Sequence, residues 1–181
     1  MSIAVIDGGT RESGNTEILT EKVIQNLAVE KIQLSNYEIL PVKDLRHTED
    51  GFSTVEDDYN SIIDRMLPHD VLIFSTPIYW YSTSGTMKNF IDRWSQTFRD
   101  ADYPDFKEVM AAKKAYVISV GGDNANLKGL PMIQQFNYIF DFAGITFEDY
   151  ILGNGNKPGD IAADKAAIQK AEILHEKLSY R

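Results

Sequence analysis

Short apolar runs alternate with stretches of helical periodicity along the whole chain. Ser2 to Asp7 is apolar up to the pair Gly8-Gly9, and Leu19, Val23 and Leu27 then recur at helical spacing within Glu17 to Leu27. This predicts a strand, a glycine-rich turn and a helix. Ile32 and Leu34 alternate with polar neighbours, as in a second strand, and Val71-Leu72-Ile73-Phe74 is a continuous apolar run suited to a parallel strand buried on both faces. Met87, Phe90, Ile91, Trp94 and Phe98 share one helical face and predict a helix across them. Ala115 to Val120 predicts another strand, ending in Gly121-Gly122. Helix-compatible Leu130 to Phe142 follows, then a strand near Ile145 to Leu152 and a last helix with Ala167, Ala171, Leu174 and Leu178 on one face. Five strand–helix units in succession specify an α/β fold, an open doubly wound five-stranded parallel sheet. Pro41 to Tyr59 lacks periodicity and reads as a long surface connection, in which Glu56, Asp57 and Asp58 form a solvated helix start.

The 181 residues, 43% apolar and 25% charged, suffice for a single domain over residues 1–181. Eighteen Lys and Arg against 27 Asp and Glu leave a net charge of −9, which disfavours nucleic acid and anionic membrane surfaces as partners. The absence of cysteine excludes disulfides, thiolate metal sites, cysteine nucleophiles and iron–sulfur clusters. No segment approaches the ~20 apolar residues of a membrane span, and MSIAVIDGG has neither the apolar length nor the basic start of a secretory signal. A cytoplasmic protein is expected. His47, His69 and His175 have no metal-ligand spacing and read as isolated surface histidines, so no metal site is expected.

In a doubly wound sheet, ligands bind beyond the carboxyl ends of the strands. The first such loop, GGTRESGNT, opens the first helix, so its N–H groups and the positive end of the helix dipole converge on an anion site. Gly9 to Gly14 match the frame of a nucleotide triphosphate loop, but Asn15-Thr16 stand where that motif demands Lys and Ser or Thr. The GxGxxG dinucleotide fingerprint is also missing. Thr10, Arg11, Ser13, Gly14, Asn15 and Thr16 instead suit one terminal phosphomonoester, with Arg11 balancing its charge. A plain glycine turn with an Asn or Thr helix cap would explain only Gly14, Asn15 and Thr16.

The second loop begins at Pro77 and Ile78 and sets Tyr79, Trp80 and Tyr81 in succession before Ser82. Aromatics at a strand end suit the face of a planar ligand, and they suit a subunit interface equally. Ser82, Ser84 and Gly85 also make a good helix start. The third loop, SVGGDNAN, brings Gly121 and Gly122 to the same sheet edge, where backbone approaches a ligand closely.

GGTRESGNTEIL and PIYWYSTSGTMKNFIDRW, in that order, resemble the phosphate loop and ring-binding loop of the flavodoxin-like NAD(P)H-dependent FMN reductases, especially the branch that includes iron–sulfur flavoproteins. The resemblance implies a flavodoxin-like fold with FMN as cofactor. Thr10, Arg11, Ser13, Asn15 and Thr16 would hold the phosphate, Pro77, Ile78, Tyr79, Trp80 and Ser82 would line the ring and ribityl chain, and Gly121 and Gly122 would form the third flavin loop. Iron–sulfur members carry clustered cysteines after the second strand, where PVKDLRHTEDGFSTVEDDY has none, which implies a flavin-only reductase. NADH or NADPH would be co-substrate and a small molecule the electron acceptor: a quinone, a nitro- or azo-aromatic, or a free flavin. No side-chain acid or base is demanded for hydride transfer, so no catalytic residue is expected. The resemblance also implies a homodimer or homotetramer. The alternative from another class is a flavodoxin, an electron carrier that uses no nicotinamide; its acidic character fits the net charge of −9.

Overall fold

Five strands, β1 (Ile3–Asp7), β2 (Val29–Gln33), β3 (Val71–Pro77), β4 (Lys114–Gly121) and β5 (Thr146–Asn154), pair in parallel in the order β2-β1-β3-β4-β5. This computed structural model describes residues 1–180. The helices are α1 (Asn15–Ile24), α2 (Tyr59–Met66), α3 (Gly85–Asp92), α4 (Trp94–Thr97), α5 (Phe106–Ala111), α6 (Ala125–Lys128), α7 (Leu130–Ala143) and α8 (Lys165–Ser179). None of them is long and apolar enough to cross a membrane.

Side chains alternate across the sheet, and both faces are covered. Ala4, Ile6, Leu72, Phe74, Ala115 and Val117 pack into a core with Ile62, Phe90, Trp94, Phe136 and Phe140 from α2, α3, α4 and α7. Ile3, Val5, Val71, Ile73, Tyr116 and Ile118 face a second core with Leu19 and Val23 of α1 and Ala171 and Leu174 of α8. This is why the central strands read as unbroken apolar runs in the sequence. The chain winds one way from β1 to β2 and the other way from β3 to β5, so β1 and β3 flank the point of reversal. Gly8 lets the end of β1 pass beneath α3, because a Cβ there would lie 2.8 Å from Ser84 Oγ and 2.9 Å from Met87 Cβ.

Several local expectations give way to packing. β2 stops at Gln33, and buried Leu34 opens a 3-10 turn through Asn36. α1 covers Asn15–Ile24 where Glu17 to Leu27 was expected, because Asn26 (φ 61°) turns the chain away. The single helix expected across Met87 to Phe98 is broken into α3 and α4 at Arg93, with its apolar face still buried. The solvated helix start is corrected at Asp57, whose side chain is 1% exposed and ion-paired with the equally buried Arg93. Two of the expected surface histidines are half-buried: His69 Nδ1 is enclosed without a partner among the described residues, and His175 Nδ1 lies 3.0 Å from the carbonyl of Val23.

Candidate active site at the β1/β3 switch point

The first loop folds into a cradle of backbone donors. Gly14 (φ −68°, ψ 158°) is the N-cap of α1 and makes no side-chain cap, so neither Asn15 nor Thr16 caps the helix. Its carbonyl accepts from Ile18 N at 2.9 Å, whereas the N–H groups of Arg11, Ser13, Asn15 and Thr16 meet no acceptor among the described residues. Arg11 is exposed and has no ion-pair or hydrogen-bond partner among the described residues, in a molecule of net charge −9. Free amides at a helix N-terminus together with an unpaired guanidinium fit a phosphate monoester.

Beside this cradle lies a recess of about 200 Å³ walled by Thr10, Arg11, Gly14, Asn15 and Thr16 from the first loop, Pro77, Ile78 and Tyr79 from the second, and Gly121 and Gly122 from the third. A second recess of about 160 Å³ shares Ile78, Gly121 and Gly122 with it and is rimmed by Trp80, Tyr81, Asp123 and Lys128. Three loops distant in sequence thus converge, because they follow adjacent strands of one parallel sheet. A Cβ on Gly122 would lie 3.0 Å from Asn156 Cβ, so glycine keeps the third loop tight against the segment after β5.

The expected site residues divide by role. Thr10 Oγ1 sits 3.4 Å from the hydroxyl of Tyr79, joining the first two loops. Asn15 is tied by its side chain to the segment after β5, with Nδ2 donating to Lys157 O at 2.8 Å and Oδ1 accepting from Ile161 N at 3.3 Å. Ser13 (φ 51°) shapes the loop and lines neither recess. Ser82 also lies outside both: its Oγ donates to Gln135 Oε1 at 3.1 Å. Tyr79 and Ser82 exchange backbone hydrogen bonds of 2.9 and 3.0 Å, and the two residues between them, Trp80 (φ 49°) and Tyr81 (φ 63°), are left-handed. Trp80 stands 94% exposed at the tip. The Tyr81 hydroxyl donates to Asp123 Oδ2 at 3.0 Å, and Lys128 Nζ reaches the same oxygen at 2.6 Å. Lys128 and the Tyr81 hydroxyl hold Asp123 below the ordinary carboxylate range.

Sequence reasoning missed the contributions of Asp7, Glu17, Gly155 and Asn156 to the first recess and of Lys128 to the second. The signal for Gly155 and Asn156 was the run Gly-Asn-Gly-Asn directly after a strand, at the same sheet edge as the other loops. Nothing local marked Lys128, which reaches the site only because α6 folds back from the third loop.

The model of the NADPH-dependent FMN reductase family matches residues 1–144. The chain belongs to that family. A Bacillus subtilis relative, YwqN, described as an NAD(P)H-dependent FMN-containing oxidoreductase, is 58% identical over 174 residues covering 96% of each chain. The solved structure of a B. subtilis protein described as a Trp repressor binding protein superposes with a TM-score of 0.81 at 51% identity, covering 96% of each chain. More distantly, an FMN-dependent NADH:quinone oxidoreductase of Thiobacillus denitrificans is 28% identical over 120 residues, 64% of this chain and 58% of that protein. For a member of this family, the donors of the first recess fit the phosphate of FMN, and the aromatic rim of the second fits its planar ring.

Proposed function

We propose that this protein is an FMN-dependent NAD(P)H oxidoreductase whose phosphate subsite is the first recess and whose ring subsite is the second. The observation that carries the reading is the unpaired Arg11 among unpartnered loop N–H groups at the sheet's switch point. When bound, FMN would supply the redox chemistry between a nicotinamide and an electron acceptor. The chain binds and orients. Arg11 and the amides of Asn15 and Thr16 hold the phosphate; Ile78, Gly121 and Gly122 form the wall common to both recesses; Tyr81, tethered through Asp123 to Lys128, holds one side of the ring subsite.

The quinone named for the distant relative supports a small planar oxidant, a quinone or a nitro- or azo-aromatic, as acceptor. Supply of NAD(P)H goes with a cytoplasmic location.

A second copy of the chain is proposed to dock on the face that carries Trp80 and Tyr81. Ser82 ties that turn to α7, which also exposes Leu130, Tyr138 and Phe142. The oxidoreductase reading is tested by mixing FMN-loaded protein anaerobically with NADH or NADPH. The visible flavin absorbance is expected to bleach without added reductase and to return with air or a quinone. Persistence of the colour with both nucleotides, alongside ready reduction by a separate reductase, would replace this reading with the electron carrier.

A further inference from the structure

The first recess is built for an anion by its backbone, yet its side chains oppose one. The ionisable groups on its wall that carry charge near neutrality are Asp7, Arg11 and Glu17, so with both carboxylates charged the wall sums to −1 where a phosphate dianion is to sit. Asp7 ends β1. Its Oδ1 accepts from Gly9 N at 2.8 Å and from Ser75 Oγ at 3.4 Å, and Ser75 Oγ in turn accepts from Thr20 Oγ1 at 3.0 Å. Its Oδ2 has no hydrogen-bond partner among the described residues.

The charged groups facing Asp7 come from three sides. Glu17 of α1 and Arg11 of the loop share its recess. Lys31 of β2 faces it across a crevice of about 40 Å³ but is ion-paired with Glu21, which lines the same crevice. β3 contributes only the hydroxyl of Ser75. Among the described residues no cation is therefore ion-paired with Asp7, and Lys31 acts on it only at a distance, drawing its carboxyl down less than burial pushes it up.

We propose that Asp7 is the proton-linked residue of this site: as the phosphate end of FMN enters, Asp7 takes a proton from solvent, and the affinity for FMN thereby depends on pH through Asp7 while that for riboflavin does not. The inference rests on the first recess being the phosphate subsite. A neutral Asp7 carboxyl still accepts from Gly9 N and keeps the loop shaped, so proton uptake removes repulsion without dismantling the cradle. Burial already pushes this carboxyl above the ordinary range, against the Gly9 hydrogen bond and with help from Glu17, and an incoming dianion acts in the same direction as Glu17.

Dissociation constants for FMN and riboflavin, measured from pH 5.5 to 8 on wild type, Asp7→Asn and Arg11→Ala, test this. Asp7→Asn retains an oxygen that accepts from Gly9 N, and at pH 8 it is expected to bind FMN about tenfold more tightly than wild type. That advantage shrinks toward unity as the pH falls and wild-type Asp7 becomes neutral, while riboflavin binds both proteins equally throughout. Calorimetry on wild type in two buffers of different ionisation enthalpy adds a readout that needs no variant. At pH 7.5 the free phosphate is already mostly dianionic, so net proton uptake with FMN and none with riboflavin is expected. Equal FMN affinities of wild type and Asp7→Asn at pH 8, a ratio that stays flat with pH, or the absence of uptake would each overturn the proposal. If, in those cases, Arg11→Ala still weakens FMN and spares riboflavin, the phosphate subsite stands and only the role of Asp7 falls. Equal losses of both ligands in Arg11→Ala would remove the subsite as well.

Discussion

At the scale of single residues, the largest stake lies in one buried charge pair. Arg93 Nη1 lies 2.5 Å from Asp57 Oδ2 and 3.1 Å from Leu40 O, its Nε donates to Gln96 Oε1 at 2.9 Å, and the guanidinium sits 4.4 Å from the centre of the Tyr59 ring. Asp57 in turn accepts from Leu40 N at 2.9 Å and Tyr59 N at 3.1 Å. The pair thus pins both ends of the long connection between β2 and α2 against the junction of α3 and α4. Removing one partner strands the other charge in a dry environment, so Arg93→Met is expected to cost about 3–5 kcal/mol in urea unfolding. A loss below ~1 kcal/mol would show that solvent reaches Asp57 once the guanidinium is gone. Neither member was legible in the sequence. Asp57 stands in an acidic run and Arg93 in the polar register of a helix, 36 residues apart, and only tertiary packing brings them together. Arg11 was legible, because a guanidinium inside a glycine-rich turn has a local reason that an ordinary turn lacks.

At the scale of elements, the turn Tyr79–Ser82 shows what function imposes on local preference. A two-residue hairpin turn with both central residues left-handed favours Asn-Gly, and here it carries Trp-Tyr. Left-handed backbone costs a bulky residue roughly 1–2 kcal/mol. Trp80 recovers little of this by packing, since it is 94% exposed. Trp80→Asn is therefore expected to stabilise the protein by about 0.5–1 kcal/mol in urea unfolding while weakening riboflavin binding in a fluorescence titration. Unchanged riboflavin affinity would confine Trp80 to the subunit interface. The aromatic cluster was visible in the sequence, but its conformation was not, because nothing in Tyr79-Trp80-Tyr81 announces a positive φ. Strand and helix existence followed from periodicity, whereas the break between α3 and α4 and the early end of β2 followed from how their neighbours pack.

At the scale of the whole molecule, apolar surface remains where the monomer alone has no use for it. Leu127 on α6 and Leu130, Tyr138 and Phe142 on α7 face outward, with Tyr138 65% and Phe142 76% exposed. A homodimer or homotetramer built on this face is expected in sedimentation equilibrium at micromolar concentration, and the pair Tyr138→Lys and Phe142→Lys should shift it to monomer. A wild-type monomer with full flavin occupancy would assign the exposed aromatics to the ligand alone. The sequence by itself determined the architecture: strands apolar on both sides, separated by amphipathic helices, have few packings other than a covered parallel sheet. It also singled out the loops after those strands as the candidate site, since Arg11 inside a glycine-rich turn suits an anion and the aromatics suit a planar ligand or a subunit interface. The strand order, the convergence of the three loops on two adjoining recesses, and the meeting of Asp7 with Glu17 and of Arg93 with Asp57 were decided only by tertiary structure. Those encounters depend on how the elements pack, and their energies come from burial and Coulomb interaction, which leave no periodic trace in a sequence.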